Sequence, residues 1–202
     1  MVTSLDGAAS AEGRSGSIGG PGDKALFGAI RRVADAIVVG AGTARTENYR
    51  MPAEPKLLVI VSRSLDLADD LPALVTGRET GRKPIVVAPR SAPADRIARL
   101  ATSAELVLVD GDPTPTDAVE AAADRGARVI SCEGGPSLLA QFVEDDLIDE
   151  WCVTVGHCVL SGTAARILAG RPEQRRDVVL TSVLEHEGTL FLRYLRSASQ
   201  QG

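Results

Sequence analysis

Two glycine turns and a few acidic residues have the spacing to do chemistry. The first turn, Gly40-Ala41-Gly42-Thr43, ends the apolar run 36–39 and leads into a short helical pattern. Glycines let a diphosphate approach the backbone, and the start of a helix offers it unpaired N–H groups. A G-x-G corner serves equally well as a tight strand-to-helix turn with no ligand. The second turn, Glu133-Gly134-Gly135-Pro136-Ser137, follows the run 129–132. Glu133 ends the strand, the glycine pair permits an unusual backbone, and Pro136 is placed to open a helix. Two such corners at the carboxyl ends of strands in one sheet can flank a single crevice.

The first turn departs from the common dinucleotide fingerprint. Arg45 stands where G-x-G-x-x-G has its third glycine, and no acid ends the next strand to grip a ribose hydroxyl. That strand ends in Ser62-Arg63-Ser64. Hydroxyls beside a guanidinium suit the 2′-phosphate of NADP better than the bare ribose of NAD, although an ordinary polar loop reads the same way. A further acid, Asp6, lies in Thr3-Ser4-Leu5-Asp6-Gly7 at the exit of a first strand. It faces a site there or simply makes an Asp-Gly turn.

These groups need a frame, and the apolar pattern predicts one. Strands are expected at 36–39, 57–61, 85–88, 106–109 and 129–132. Each run is nearly continuous, not alternating, as in parallel strands covered on both faces. Helical spacing aligns Leu26, Phe27, Ile30 and Val33, with Asp23 expected to cap that helix. Further helices are expected near 95–102, 117–125 (ending at Gly126) and 137–143. Two strand-like runs, 178–185 and 189–196, flank Glu187-Gly188 and predict an antiparallel hairpin added to the parallel sheet. The Gly- and Ser-rich stretch 8–22 is expected to be a flexible loop of the kind that serves as a lid. The expected fold is one α/β domain over residues 1–202.

Composition narrows the function classes. At 44% hydrophobic the chain can build a core, and at 3% aromatic that core must be aliphatic. No apolar run nears the roughly 18 residues that span a bilayer, and no signal peptide is visible, so a cytosolic protein is expected. A net charge of −5 without a basic stripe argues against nucleic acid. Cys132, Cys152 and Cys158 lack C-x-x-C spacing and read as ordinary thiols, and with only His157 and His186 no metal site is expected.

Taken in order, SLDG (4–7), a glycine-rich loop with a following helix, ADAIVVGAGT (34–43) and EGGPSLL (133–139) resemble the reductase domain of riboflavin biosynthesis. That domain usually follows a zinc deaminase, whose HxE and PCxxC motifs do not occur in these 202 residues. The resemblance runs over residues 1–155, with the terminal hairpin compatible, and GAGTARTENY is similar to stand-alone actinobacterial reductases. It implies a dihydrofolate-reductase-like fold, mostly parallel, usually dimeric, with NADPH across the carboxyl edge of the sheet. Gly40, Ala41, Gly42 and Thr43 would hold part of the diphosphate–nicotinamide region, with Gly134, Gly135, Pro136 and Ser137 on its other side. Ser62 and Arg63 would lie near the adenosine phosphate. Asp6 matches the substrate-side aspartate of SLDG, and Glu47 takes the place of an acid four residues after the GT threonine. Glu133 is expected to face the nicotinamide or the substrate. Two departures stand out. Glu47-Asn48-Tyr49 replaces the commoner Asp-x-Pro. Met1 stands only five residues before Asp6, so a polar group that the family's first strand can supply is expected to be missing or lost to the choice of start site.

The implied reaction is hydride transfer from C4 of NADPH to C1′ of a ribosylamine that has opened to an imine, giving a ribitylamine. Asp6 and Glu47 would orient the substrate or assist proton transfer at the imine nitrogen. One alternative is reduction of a pteridine such as dihydrofolate, whose enzymes place a carboxylate in the helix after the mobile loop. Residues 24–32 carry no acid, which counts against it. The other alternative is a non-catalytic protein of the same fold that binds NADPH.

Overall fold

The apolar runs become strands. In the computed structural model, which describes residues 1–197, the chain order opens with β1 (Val2–Thr3), α1 (Gly16–Val33), β2 (Ala36–Gly40), α2 (Ala41–Thr46), β3 (Leu57–Val61), α3 (Pro72–Thr80), β4 (Ile85–Pro89) and α4 (Ala94–Ala101). It continues with β5 (Glu105–Val109), α5 (Pro115–Ala123), β6 (Ile130–Cys132), α6 (Pro136–Glu144), β7 (Glu150–Val155), β8 (Val178–His186) and β9 (Thr189–Arg196). Two compact units result: Ile30–Leu138, and Met1–Ala29 together with the chain from Leu139 onward.

The unit Ile30–Leu138 holds a parallel sheet in the order β5-β4-β3-β2-β6. Successive residues of β2, β3 and β4 are buried, because side chains alternate across two covered faces. β5 lies at the edge and is only partly buried. The aliphatic core includes Ile37, Leu58, Ile60, Leu74, Val86 and Leu100. Burying each such side chain contributes about 1.5–3 kcal/mol. At the entry to β6, the Asp35 carboxylate accepts from the N–H groups of Arg128 and Val129, both at 2.9 Å. These bonds fasten the strand that carries the second glycine turn to the start of β2.

All five expected parallel strands are present. Helix α3 was not expected, although Pro72 in its first turn and the left-handed Gly81 (φ 75°) at its end are start and stop signals. Helix α5 begins two residues before the expected Asp117, because Thr114 caps it and Asp117 completes the capping box.

The other unit holds a four-stranded sheet, β1-β7-β9-β8. β1 runs parallel to β7, and β9 is antiparallel to both β7 and β8. The hairpin forms as expected, with its two-residue turn at Glu187 (φ 52°) and Gly188 (φ 77°). Its partner is not the one expected: β9 pairs with β7 and not with the parallel sheet. Arg193 on β9 donates to both Glu150 oxygens on β7, at 2.7 and 2.6 Å, a diagonal cross-strand pair that supports this register.

The stretch 8–22 is not one loop. Residues from Gly16 are helical, with a break at Gly20 (φ 66°, ψ −163°) before Pro21. Its glycines serve close packing. A Cβ at Gly22 would lie 2.8 Å from the Phe191 ring, and one at Gly19 would collide with the Asp23 side chain. Asp23 stands in the first turn after that break, and its Oδ1 accepts from the buried Thr154 hydroxyl at 2.6 Å, a partner outside the helix.

Candidate active site

In the parallel sheet, Val38 pairs with Cys132 and Gly40 with Val61. The carboxyl ends of β6, β2 and β3 are thus neighbours, about 4.8 Å apart, and carry Glu133–Ser137, Gly40–Thr43 and Ser62–Arg63 in that order. The two glycine turns touch. Gly40 N–H donates to the Gly134 carbonyl at 2.7 Å, and Glu133 N–H donates to the Val38 carbonyl at 2.9 Å. A Cβ added to Gly135 would fall on the Thr43 hydroxyl, so this approach requires glycine. Gly134 has φ 83°, a value that L side chains rarely adopt, and its peptide bond to Gly135 is cis. From β2 the chain builds outward through β3, β4 and β5, then returns to place β6 on the opposite side of β2. The sheet reverses its order between β2 and β6, and open α/β sheets bind ligands outside the strand ends at such a point.

Helix α2 begins after Gly40, an N-cap residue with no side chain to cap its N–H groups. A Cβ at Gly42 would meet nothing within 4 Å, so space lies open against the main chain. Ala41 is buried and Thr43 half-buried. Pro136 opens α6 as expected, with Ser137 beside it. These features fit an extended diphosphate, which is recognised by exposed amides and by the absence of side chains.

The acids and polar side chains divide into those turned inward and those left open. The Glu133 side chain is 3% exposed. Arg31 donates to both of its oxygens, Nε to Oε1 at 2.7 Å and Nη2 to Oε2 at 2.6 Å, and the Tyr49 hydroxyl donates to Oε2 at 2.6 Å. The Arg31 guanidinium also lies 5.4 Å from the centre of the Tyr49 ring. Glu133 does not present an open carboxylate to a nicotinamide or substrate, because three donors engage it inside the unit. Burial, followed by the Glu133 charge, pushes the Tyr49 hydroxyl well above its ordinary range, so it stays protonated and donating. Burial opposes the Arg31 charge, but its bond to Glu133 and the carboxylate charge more than offset this. The sequence reading gave Arg31 no role, because it lies outside the glycine motifs, and it met Tyr49 only as the last residue of GAGTARTENY, with no partner to assign.

Ser62 is 2% exposed, and its hydroxyl oxygen accepts from Leu65 N–H at 3.0 Å, closing the turn after β3. Arg63 is exposed. Glu47 is exposed too, at the end of α2, where its N–H donates to the Thr43 carbonyl at 2.9 Å.

Asp6 belongs to the other unit. Its Oδ1 accepts from the Ser4 hydroxyl at 2.5 Å and Leu160 N–H at 3.1 Å, and Oδ2 from Ser161 N–H at 2.7 Å. The Ser4 bond, then the two backbone bonds, hold its carboxyl down at about 2, from an ordinary 3.8. The folded value lies below the unfolded one, so the stability Asp6 contributes is complete above pH 3.8 and is lost as pH falls through about 2. Carbon NMR of the Asp6 carboxyl should give a midpoint near 2, and a midpoint at 3.8 would show that the clamp onto 160–161 does not form.

Among the described residues, no group of three His, Cys, Asp or Glu side chains is placed to hold a metal. Nor is any helix among them long and apolar enough to cross a membrane.

A family model described as the RibD C-terminal domain matches residues 1–189. The chain belongs to that family. The RibD C-terminal domain fold is equally clear in solved structures. A pyrimidine reductase-like protein from Corynebacterium diphtheriae is 25% identical, with a TM-score of 0.88 over 97% of this chain and 89% of its own. RibD from Acinetobacter baumannii is 19% identical, with a TM-score of 0.78, and this chain spans 56% of its length. The riboflavin biosynthesis reductase Rib7 of Saccharomyces cerevisiae is 17% identical, with a TM-score of 0.69 over 97% of this chain and 87% of its own. No curated protein matches the sequence. Membership in the RibD C-terminal domain family makes the chain an oxidoreductase of the riboflavin-pathway pyrimidine-reductase type, a chemistry that uses a nicotinamide cofactor.

Proposed function

We propose that this chain is an NADPH-dependent reductase of a ribosylaminopyrimidine phosphate, of the 5-amino-6-(5-phosphoribosylamino)uracil type, working in the cytoplasm as a one-domain homodimer. The observation that carries this reading is the hydrogen-bonded meeting of the two glycine turns where the sheet reverses between β2 and β6. Bound NADPH supplies the hydride. The backbone of Gly40–Thr43 holds the diphosphate–nicotinamide region from one side, and Gly134–Ser137 from the other. Arg63, exposed beside the buried Ser62, offers its guanidinium to the 2′-phosphate. Asp6 is fully ionised at neutral pH, which supports hydrogen-bond acceptance and substrate orientation over proton donation. Glu47 is the acid assigned to proton assistance at the imine nitrogen.

The homodimer is supported by β8. It is an edge strand with Val179, Val183 and Leu184 all more than half exposed, an apolar edge that a second copy would cover. Light scattering at the monomer mass would remove that part of the proposal.

A second reading, pteridine reduction, is favoured by Asp23. The helical segment that follows the break at Gly20 does carry an acid, because Asp23 lies in its first turn ahead of residue 24, and Thr154 holds that acid on one oxygen.

The test is a fluorescence titration with NADPH and NADH, followed by NADPH oxidation with each candidate substrate. Tighter binding of NADPH and turnover of the ribosylaminopyrimidine phosphate are expected. Turnover of dihydrofolate alone would transfer the function to pteridines, and NADPH binding without turnover of either would make the protein non-catalytic. If Asp6→Asn and Glu47→Gln both keep full turnover, neither residue has the assigned role.

A further inference from the structure

The buried carboxylate at the end of β6 is held more firmly than a strand end requires. Glu133 directly precedes Gly134, and its side chain runs inward to Arg31 on α1 and Tyr49 beyond α2. Its backbone N–H is tied to Val38, and the next carbonyl, that of Gly134, receives the Gly40 N–H. Residue 133 is therefore fastened through both main chain and side chain, immediately before a glycine pair that has no side chains of its own to fix it.

We propose that Arg31 and Tyr49 are positioning residues for the cofactor corner: through Glu133 they hold the Gly134–Gly135 backbone at the distance from Gly40 and Thr43 that a diphosphate requires. The inference rests on the NADPH reading above for its ligand, but the brace itself is a property of the chain. The bidentate Arg31 fork fixes the carboxylate plane, and the Tyr49 hydroxyl fixes its rotation about that plane. Arg31 keeps its charge, and Tyr49 keeps its proton, throughout the neutral range. The network is thus a static support that carries no proton, and it differs from an acid–base relay in leaving the pH profile of turnover unchanged.

Tyr49→Phe tests it, because it removes one hydroxyl and keeps the ring under the guanidinium. The first readout needs no cofactor: amide hydrogen exchange of Gly40, whose N–H depends on the Gly134 carbonyl. Exchange at Gly40 is expected to rise about tenfold, the loss of one hydrogen bond to a charged group, while Val59 and Val86 in the core strands stay protected. The second readout is kinetic. KM for NADPH is expected to rise several-fold, with kcat and its pH profile little changed. Unchanged exchange at Gly40 together with an unchanged KM would overturn the proposal, as would a shifted pH profile. Faster exchange at Gly40 in a protein that ignores NADPH would uphold the brace and reject the NADPH reading, so the two failures are separable.

Discussion

Replacing Arg31 with methionine is expected to lower the unfolding free energy by about 3 kcal/mol. The cost comes from the partner left behind. The Glu133 side chain is 3% exposed, and without Arg31 the Tyr49 hydroxyl is the donor left to its carboxylate among the described residues. Removing one member of a buried pair typically costs 3–5 kcal/mol, and the lower end applies here because Arg31 is itself 31% exposed and water can reach the gap. Methionine keeps most of the apolar stem, so little packing is lost with the charge. Urea denaturation measures the change. The double variant Arg31→Met with Glu133→Met should recover most of the loss, since no uncompensated charge then stays buried. If the single variant were as stable as the parent, the network would be a surface pair and not a buried one.

Gly42→Ala is expected to separate affinity from stability. Gly42 lies within α2, and a Cβ there would meet no atom within 4 Å. Alanine is the better helix residue by roughly 0.5–1 kcal/mol, so the variant should unfold no more easily than the parent. A diphosphate packed against this backbone would meet the new methyl group directly. NADPH affinity should then fall about 100-fold, or roughly 2.8 kcal/mol. Isothermal titration gives the affinity and thermal melting the stability. Unchanged affinity would mean that the cofactor backbone passes elsewhere, and the first glycine turn would be only a turn.

The parallel strands were legible because their burial is. Residues 36–39 are apolar at every position, and strands covered on both faces leave no polar alternation to confuse the reading. The hairpin was legible because Glu187-Gly188 supplies two residues able to take positive φ between two strand-like runs. The stretch 8–22 was misread because glycine permits two opposite things, freedom and close approach. Only the neighbours decide between them, and Gly19 and Gly22 have Asp23 and Phe191 against them. Strand β7 went unseen because Glu150-Trp-Cys-Val-Thr-Val lacks a continuous apolar run, and the hairpin was consequently assigned to the wrong sheet.

The amino-acid order was sufficient to determine the family, the α/β class and the two glycine turns, because each depends on residue type and local spacing. The state of the acids was decided only by the folded chain. Glu133 is engaged by two residues that lie 102 and 84 positions away in sequence, and Asp6 by amides more than 150 away. Whether a carboxylate is open, buried or held ionised depends on its neighbours in space, and pairings over such separations exist only once strands and helices have packed.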